Sequence, residues 1–485
     1  MGRLRGTVVD DATGQLVHAK VHVLSARGNF VAPVDSFLKV GAGLEFFYVD
    51  GAFEVDAPFG QADVVVERGA EYTPLRAIVD IPASGFVARE FRLSRWTDLP
   101  SQGWHPGNTH LHYREFEMRP TERLRFDAAI EGYSVLVVSV LKRRELAYAS
   151  NTFPIGLFTD LCTPDCAIDV GEESRHNLST HDMDYGGFGY GHVMLINIHN
   201  LIDPVSTGTL VSDFAPDYPP LCYVCDDANA QGGTVIWCHN GRGMEAPVAA
   251  VLGKLHAFNM FDPYWQDPEY QIWYHLLNAE IRLPASTGTD WHIQSSNRVY
   301  AYAPGAFSYE GWIAALRAGR TFISNGPALF FEANGEIPGG ELGFDASGGT
   351  IACQVRWKSH YPADTVELIH NGRVAARHSL PSGATEGVWE TEVHAPTDGW
   401  VAARLAGRSR DSFGHAIFAH TSPVYIRTGQ PNPQRAEASR YFVAALDKSL
   451  AWIQHKGRYT SDEQRESVAR LFREARGRFA ALTPG

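Results

Sequence analysis

The chain has 485 residues, more than one ordinary domain holds, and 44% of them are apolar, enough for several sizeable cores. A formal charge of −13 argues against a nucleic-acid binder, which would carry a basic patch or stripe. No run approaches the ~18 consecutive apolar residues of a membrane span, and six cysteines are too few for a disulfide scaffold. The opening MGRLRGTVVDDATG has no apolar h-region, so a reducing cytoplasm is expected, with a trimmed export signal as the alternative. Residues 1–98 predict a small β-sandwich. GRLRGTVVDDATGQLVHAKVHVL alternates apolar and polar residues around a turn at Ala12–Gly14, and Asp50–Gly51 is a hairpin signal. From 99 to 335, short apolar runs end in polar clusters, with helix-like segments between some of them. Such near-continuous strands imply a buried parallel sheet, open or barrelled. SYEGWIAALRAGR (Ser308–Arg320) predicts a helix that ends near Gly319. Residues 336–428 return to alternation, with Asn371–Gly372 as a hairpin turn, and predict a second sandwich. Residues 429–485 predict a helical hairpin, docked on the middle domain or on a sister subunit. Tyr441, Phe442, Leu446, Leu450 and Ile453 lie in the stripe of its first helix, and Ser461 with Gln464 suggests a capping box for the second.

The ionisable residues of the middle region fall at the ends of its apolar runs. GNTHLHYRE places His110 and His112 two apart, on one side of an extended segment. Glu173 ends AIDVGEE, His239 follows GTVIWC, and Asp290 and His292 end LPASTGTDWH. In parallel α/β barrels such strand ends meet at one rim. His192 precedes its run instead of following it, and a short antiparallel excursion after Glu173 would bring it to the same rim. His199 is its rival. The set His110, His112, Glu173, His192, His239, Asp290 and His292 has more donors than one tetrahedral ion needs. It suits two ions, and mixed nitrogen and oxygen donors favour zinc, manganese or iron. Cys162/Cys166 and Cys222/Cys225 have zinc-ribbon spacings but lack the surrounding knuckle pattern. Buried thiols are the expected reading, with a disulfide or a structural metal as alternatives.

The ordered motifs GNTHLHY, GEESRHN, GYGHVMLIN, VIWCHNG and STGTDWH resemble the PHP (polymerase and histidinol phosphatase) superfamily of metallohydrolases, and more closely its CehA/McbA-type branch. LRAGRTFISNGP, HTSPVYI and the terminal helices resemble that branch's outer parts. The resemblance implies an α/β fold. A distorted β/α barrel of about seven strands would be flanked by two small sandwiches, the first carboxypeptidase-regulatory-like, and by the hairpin. It implies hydrolysis of an ester-type bond in a small molecule (phosphoester, carbamate, carboxyl ester or amide) by a hydroxide held between two metals. Asp290 or His239 would move the proton. The wider superfamily carries an Asp-His metal pair where this chain has Val140 and Leu141, so no more than two ions are expected. Lys142, Arg175 and His176 are candidate substrate contacts, with Tyr113 and Trp291 as aromatic walls. Two other classes compete. One is a mononuclear iron oxygenase using His110, His112 and Glu117, although Trp104 and Leu124 stand where that motif needs glycine. The other is a non-catalytic metal- or carbohydrate-binding protein with a degenerate site.

Overall fold

The computed structural model describes residues 1–39, 43–141, 148–178, 188–210, 212, 214–260 and 269–482. Residues 2–93 form a seven-stranded sheet, in the order Leu75–Ile81, Gly60–Glu67, His18–Leu24, Phe47–Asp50, Ala52–Ala57, Gly2–Asp10 and Phe86–Leu93. AFEVDA, at Ala52–Ala57, alternates exposed and buried positions, as a strand with one wet face must. Gly51, at φ 71°, makes the tight turn that pairs Asp50 with Ala52. The sheet curls until its two outermost strands touch. Leu4, Val21, Val64 and Phe91 are buried inside the curl.

Seven strands build the middle of the molecule: Trp104–Asn108, Val135–Val140, Ala167–His176, Gly191–Ile196, Thr234–Trp237, Ala257–Asn259 and Ala285–Ser286. They lie in this order across one sheet. The first three run parallel, and so do the last three. Gly191–Ile196 alone is antiparallel to both its neighbours. Val135–Val140 and Gly191–Ile196 are buried at every position, because helices or other strands cover both faces. The outer strands of this run also approach each other. Leu111–His112, just past the first strand, pairs in parallel with Asp290–Trp291, just past the seventh.

The same sheet continues past the first strand through Arg298–Tyr302, Thr321–Ser324, Ala416–Thr421, Gly399–Arg410, Thr365–His370 and Arg373–Ser379. A separate three-stranded sheet of Ala328–Ala333, Gly349–Lys358 and Glu386–Ala395 packs on that extension. Val355, Val366 and Leu405 fill the space between the two. The fold is thus α/β with several mixed sheets. Helix Tyr309–Arg317 starts where the sequence predicts: the Ser308 side chain accepts from the Gly311 N–H at 3.1 Å.

Helices Arg435–His455 and Asp462–Ala480 form a hairpin on the body of this same chain, against helices Gln271–Asn278 and Ala246–Val251. Phe442, Leu446, Ile453, Val468 and Phe472 join the main core. Tyr441 does not: it is 37% exposed and stacks on His275 with ring centres 4.4 Å apart. The Ser461 hydroxyl accepts from the Gln464 N–H at 3.2 Å, while Gln464 Oε1 accepts from the Thr460 N–H instead of closing the box on Ser461. No helix among the described residues is long and apolar enough to cross a membrane.

A buried ion cluster ties the amino-terminal sheet to this body. Lys20 Nζ lies 2.8 Å from Glu131 Oε1, with the two side chains 2% and 1% exposed. Arg298 adds a second cation 3.5 Å from the same carboxylate. Burial works to raise the Glu131 pKa, but the two cations outweigh it and hold the carboxyl below its usual value. Removing one partner of a buried pair strands the other. Lys20→Met is therefore expected to lower unfolding stability by ~3 kcal/mol in denaturant titration. An unchanged midpoint would mean that Arg298 alone satisfies Glu131.

Candidate metal centre

The site is built where the first and seventh strands pass their ends. The Thr289 and Asp290 N–H groups both donate to the His110 carbonyl, at 2.9 and 2.8 Å, and the His292 N–H donates to the His112 carbonyl at 3.0 Å. Asn108 Nδ2 donates to Thr289 Oγ1 at 2.8 Å. Gly288 makes this approach feasible. A Cβ there would lie 2.4 Å from His110 Cβ and 2.6 Å from its backbone nitrogen. The requirement is close contact, and Gly288 is not among the glycines with positive φ.

His110 and His112 follow the two-residue repeat of an extended segment, and their Nε2 atoms come within 3.0 Å of each other. His112 Nδ1 lies 2.9 Å from the Ser139 carbonyl at the end of the second strand, which turns Nε2 into the site. Glu173, on the third strand, spans the cluster. Its Oε2 is 3.0 Å from His112 Nε2. Its Oε1 is 3.1 Å from His192 Nδ1, 3.6 Å from His239 Nε2 and 3.9 Å from His110 Nε2. The antiparallel fourth strand brings His192 opposite Arg175 and beside His239, whose Nε2 is 2.8 Å from His192 Nδ1. Asn177 Oδ1 lies 2.8 Å from His192 Nε2 and orients that ring. Asp290 Oδ1 lies 3.4 Å from His110 Nε2 and 3.7 Å from His112 Nε2.

Three overlapping groups of donor atoms fall within 4.8 Å: His110, His112 and Asp290; His110, Glu173 and Cys238; and Glu173, His192 and His239. His110 and Glu173 each belong to two groups, as ligands shared between neighbouring ions would. All these residues are buried. Burial works to raise the Glu173 pKa, but hydrogen bonds from His112, His192 and His239 outweigh it and hold the carboxyl well below its usual value. Burial pushes the Asp290 carboxyl up to about 6, and it pushes His110 well below the ordinary imidazole value. For His112 burial acts downward, but the bond and charge of Glu173 prevail and raise it. Among the described residues, the neighbours of Glu173 Oε1 and Oε2 and Asp290 Oδ1 are the imidazoles and, for Glu173 Oε2, the Arg175 guanidinium at 3.5 Å. Buried carboxylates facing several ring nitrogens fit divalent cations held between them.

Sequence reasoning missed Cys238. Its thiol lies in one of the three groups, and its position just before His239 was the available signal. It also missed Asn177 and Tyr148, the latter packed at a tilt against Trp291 with ring centres 4.9 Å apart. All six cysteines are free thiols. Val140 and Leu141 are buried apolar residues and offer no ligand.

Several expected residues are not brought to the cluster. His292 belongs to none of the three groups. Residues two apart share a face only in extended backbone, and Asp290 and His292 have φ of 55° and 59°. Burial and the nearby Arg114 guanidinium push the His292 pKa down to about 4. His176 lies on the opposite face of its strand from Glu173 and Arg175. There it accepts from the Tyr190 N–H at 3.1 Å and faces Asp217 at 3.2 Å. Tyr113 points into the core and donates to Asp127 at 2.6 Å. His199 is exposed, and Glu117 lies near Arg123 instead of with His110 and His112. Lys142 lies outside the described residues. Arg175 does reach the site: Nη1 is 3.5 Å from Glu173 Oε2, and its guanidinium carbon sits 5.7 Å over the Trp291 ring. Its Nε and Nη2 are buried with no hydrogen-bond partner among the described residues.

Gly288→Ala is expected to push His110 out of register while leaving the fold intact. Zinc affinity, measured by calorimetry on metal-stripped protein, should fall ~10-fold or more. Unchanged affinity would show that the glycine contact does not position His110.

No protein-family profile matches the chain, and no curated protein matches it. Among solved structures it is similar to a two-domain protein from Bacteroides vulgatus ATCC 8482 containing a predicted PHP-like metal-dependent phosphoesterase. The identity is 13% and the TM-score 0.35, over 66% of this chain and 96% of that one.

Proposed function

We propose that this chain is a metal-dependent hydrolase of the PHP type, acting on an ester-type bond of a small molecule. One observation carries the reading: a buried carboxylate, Glu173, faces His112 through one oxygen and His192 and His239 through the other. That geometry suits two ions, with His110, His112 and Asp290 on one side and His192 and His239 on the other. The donors favour zinc, manganese or iron, and the Cys238 sulfur leans towards zinc. When bound, such ions supply Lewis acidity and make water a competent nucleophile near neutral pH.

The chain's own residues then have separate tasks. Asn177 and the Ser139 carbonyl fix the His192 and His112 rings. Arg175 offers two uncommitted donor atoms to an anionic group of the substrate. Trp291 and Tyr148 form a wall beside it. Asp290, whose Oδ1 lies 3.4 and 3.7 Å from the Nε2 atoms of His110 and His112, is assigned the proton transfer. His239, the other candidate, is read as a ligand. We read residues 1–98, 99–335, 336–428 and 429–485 as four parts, with the second a distorted seven-stranded barrel. The pairing of Leu111–His112 with Asp290–Trp291 supports that reading.

Elemental analysis of the purified protein should find firmly bound transition metal, at no more than two ions per chain. Chelation should abolish hydrolysis across a panel of aryl phosphates, carboxyl esters and carbamates, and restoring metal should recover it. His110→Ala should lose both metal and turnover. Asp290→Asn keeps its size but loses its basicity, so it should still bind metal while turnover falls ~10²-fold. Metal-free protein, or full turnover after chelation, would end the metal-dependent reading. Near-normal turnover of Asp290→Asn would move the proton transfer elsewhere.

A further inference from the structure

The far end of the middle sheet holds a cavity of about 730 Å³, within the usual range for a small-molecule site. It lies where the strands begin. His105 is on the first strand, Ser134 precedes the second, and Ile168 is near the start of the third. Ile168 and Glu173 are five residues apart on one strand, so the cavity is about 17 Å from the metal centre. The amino-terminal sheet closes it from above with His18, Arg68 and Arg95.

The charges here are unusual for a chain with formal charge −13. Arg68 is half-buried, donates to the His18 carbonyl at 2.6 Å and lies over Tyr72; Asp10 acts on it from a distance, and no carboxylate lies at ion-pair distance among the described residues. Arg125, on helix Pro120–Glu131, is exposed on the cavity wall and makes no ion pair among the described residues. Arg95, by contrast, is matched by Asp98 at 3.1 Å. Asp165 is the other carboxylate of the lining. His105 is 4% exposed, and its Nε2 is buried with no hydrogen-bond partner among the described residues. Its ring packs on Phe307 with centres 5.1 Å apart. Tyr133, Leu161, Ile168 and Phe307 give the cavity an apolar wall. Two guanidinium groups with no carboxylate at ion-pair distance among the described residues favour an anion, and the buried, unpartnered ring nitrogen of His105 calls for a hydrogen-bond partner.

We propose that this cavity binds a small organic anion. Its acidic group would lie against Arg68 and Arg125, with His105 Nε2 as a further contact, and its apolar body would lie against Phe307 and Ile168. The site is separate from the metal centre and does not depend on what is hydrolysed there. The ligand would bridge the amino-terminal sheet and the strands that carry the metal ligands.

Calorimetric titration of the full chain with benzoate and hexanoate tests this, with benzamide as the uncharged control. Saturable binding of at least one carboxylate at millimolar concentration is expected, with benzamide much weaker. Arg125→Glu, at an exposed position that does not threaten folding, should weaken binding by about tenfold or more, as losing a charge-assisted contact does. Arg68→Gln keeps a donor for the His18 carbonyl and should also weaken it. His110→Ala and Arg175→Ala should leave it unchanged. Absence of saturable binding by both carboxylates would overturn the proposal. So would binding indifferent to Arg125→Glu and Arg68→Gln, or binding lost in His110→Ala, which would move the anion to the metal centre.

Discussion

Everything around the metal centre answers one constraint: a carboxylate, Glu173, is buried among four imidazoles in a site with few other donors. Burying an unpaired charge is expensive, so the ring nitrogens must be aimed at it and held there. The surrounding structure does the aiming. Ser139 and Asn177 occupy the outer nitrogens of His112 and His192. The Thr-Gly-Thr-Asp segment grips the His110 carbonyl with two N–H groups. His239 and Asp290 sit in left-handed backbone, a conformation that costs a non-glycine residue of order 1–3 kcal/mol and persists where neighbours enforce it.

The strand carrying Glu173 shows how one element serves two environments. Residues 173 and 175 face the metal donors, while 176 faces the core beneath the terminal hairpin. His176 stacks on Tyr190 with ring centres 4.1 Å apart, and the Tyr190 hydroxyl meets that of Tyr459 at 2.8 Å. The hairpin is thus linked to the back of the site strand through an aromatic and a hydroxyl contact. The antiparallel fourth strand has a matching role. Running against its neighbours, it places its second residue, His192, at the end where the parallel strands finish.

Much of this was legible in the sequence. Alternation marked the flanking sheets, unbroken apolar runs marked the central strands, and polar residues at the ends of those runs marked most of the donors. The Ser308 cap and the Asp50–Gly51 turn follow from short-range chemistry and needed no tertiary information. What stayed hidden depended on backbone conformation or distant partners. His292 looked equivalent to His112 because spacing cannot reveal a left-handed residue two positions before it. His176 and Tyr113 look like site residues in a linear reading, but strand pleat and the burial of Asp127 direct them into the core. Cys238 looked like an inert thiol because its neighbours, His110 and Glu173, are far away in sequence.

The continuity of the main sheet has a practical consequence for dissecting the molecule. Thr321–Ser324 pairs on one side with Arg298–Tyr302 and on the other with Ala416–Thr421. Cutting the chain after Ala333 would therefore not release a finished unit. It would bare the N–H and C=O groups of a buried, apolar strand along an open edge, a template for intermolecular strand addition. A truncated fragment would be prone to aggregate even if its donor residues were all present. The metal-bearing strands and the carboxyl-terminal sheet have to be handled as one folding body.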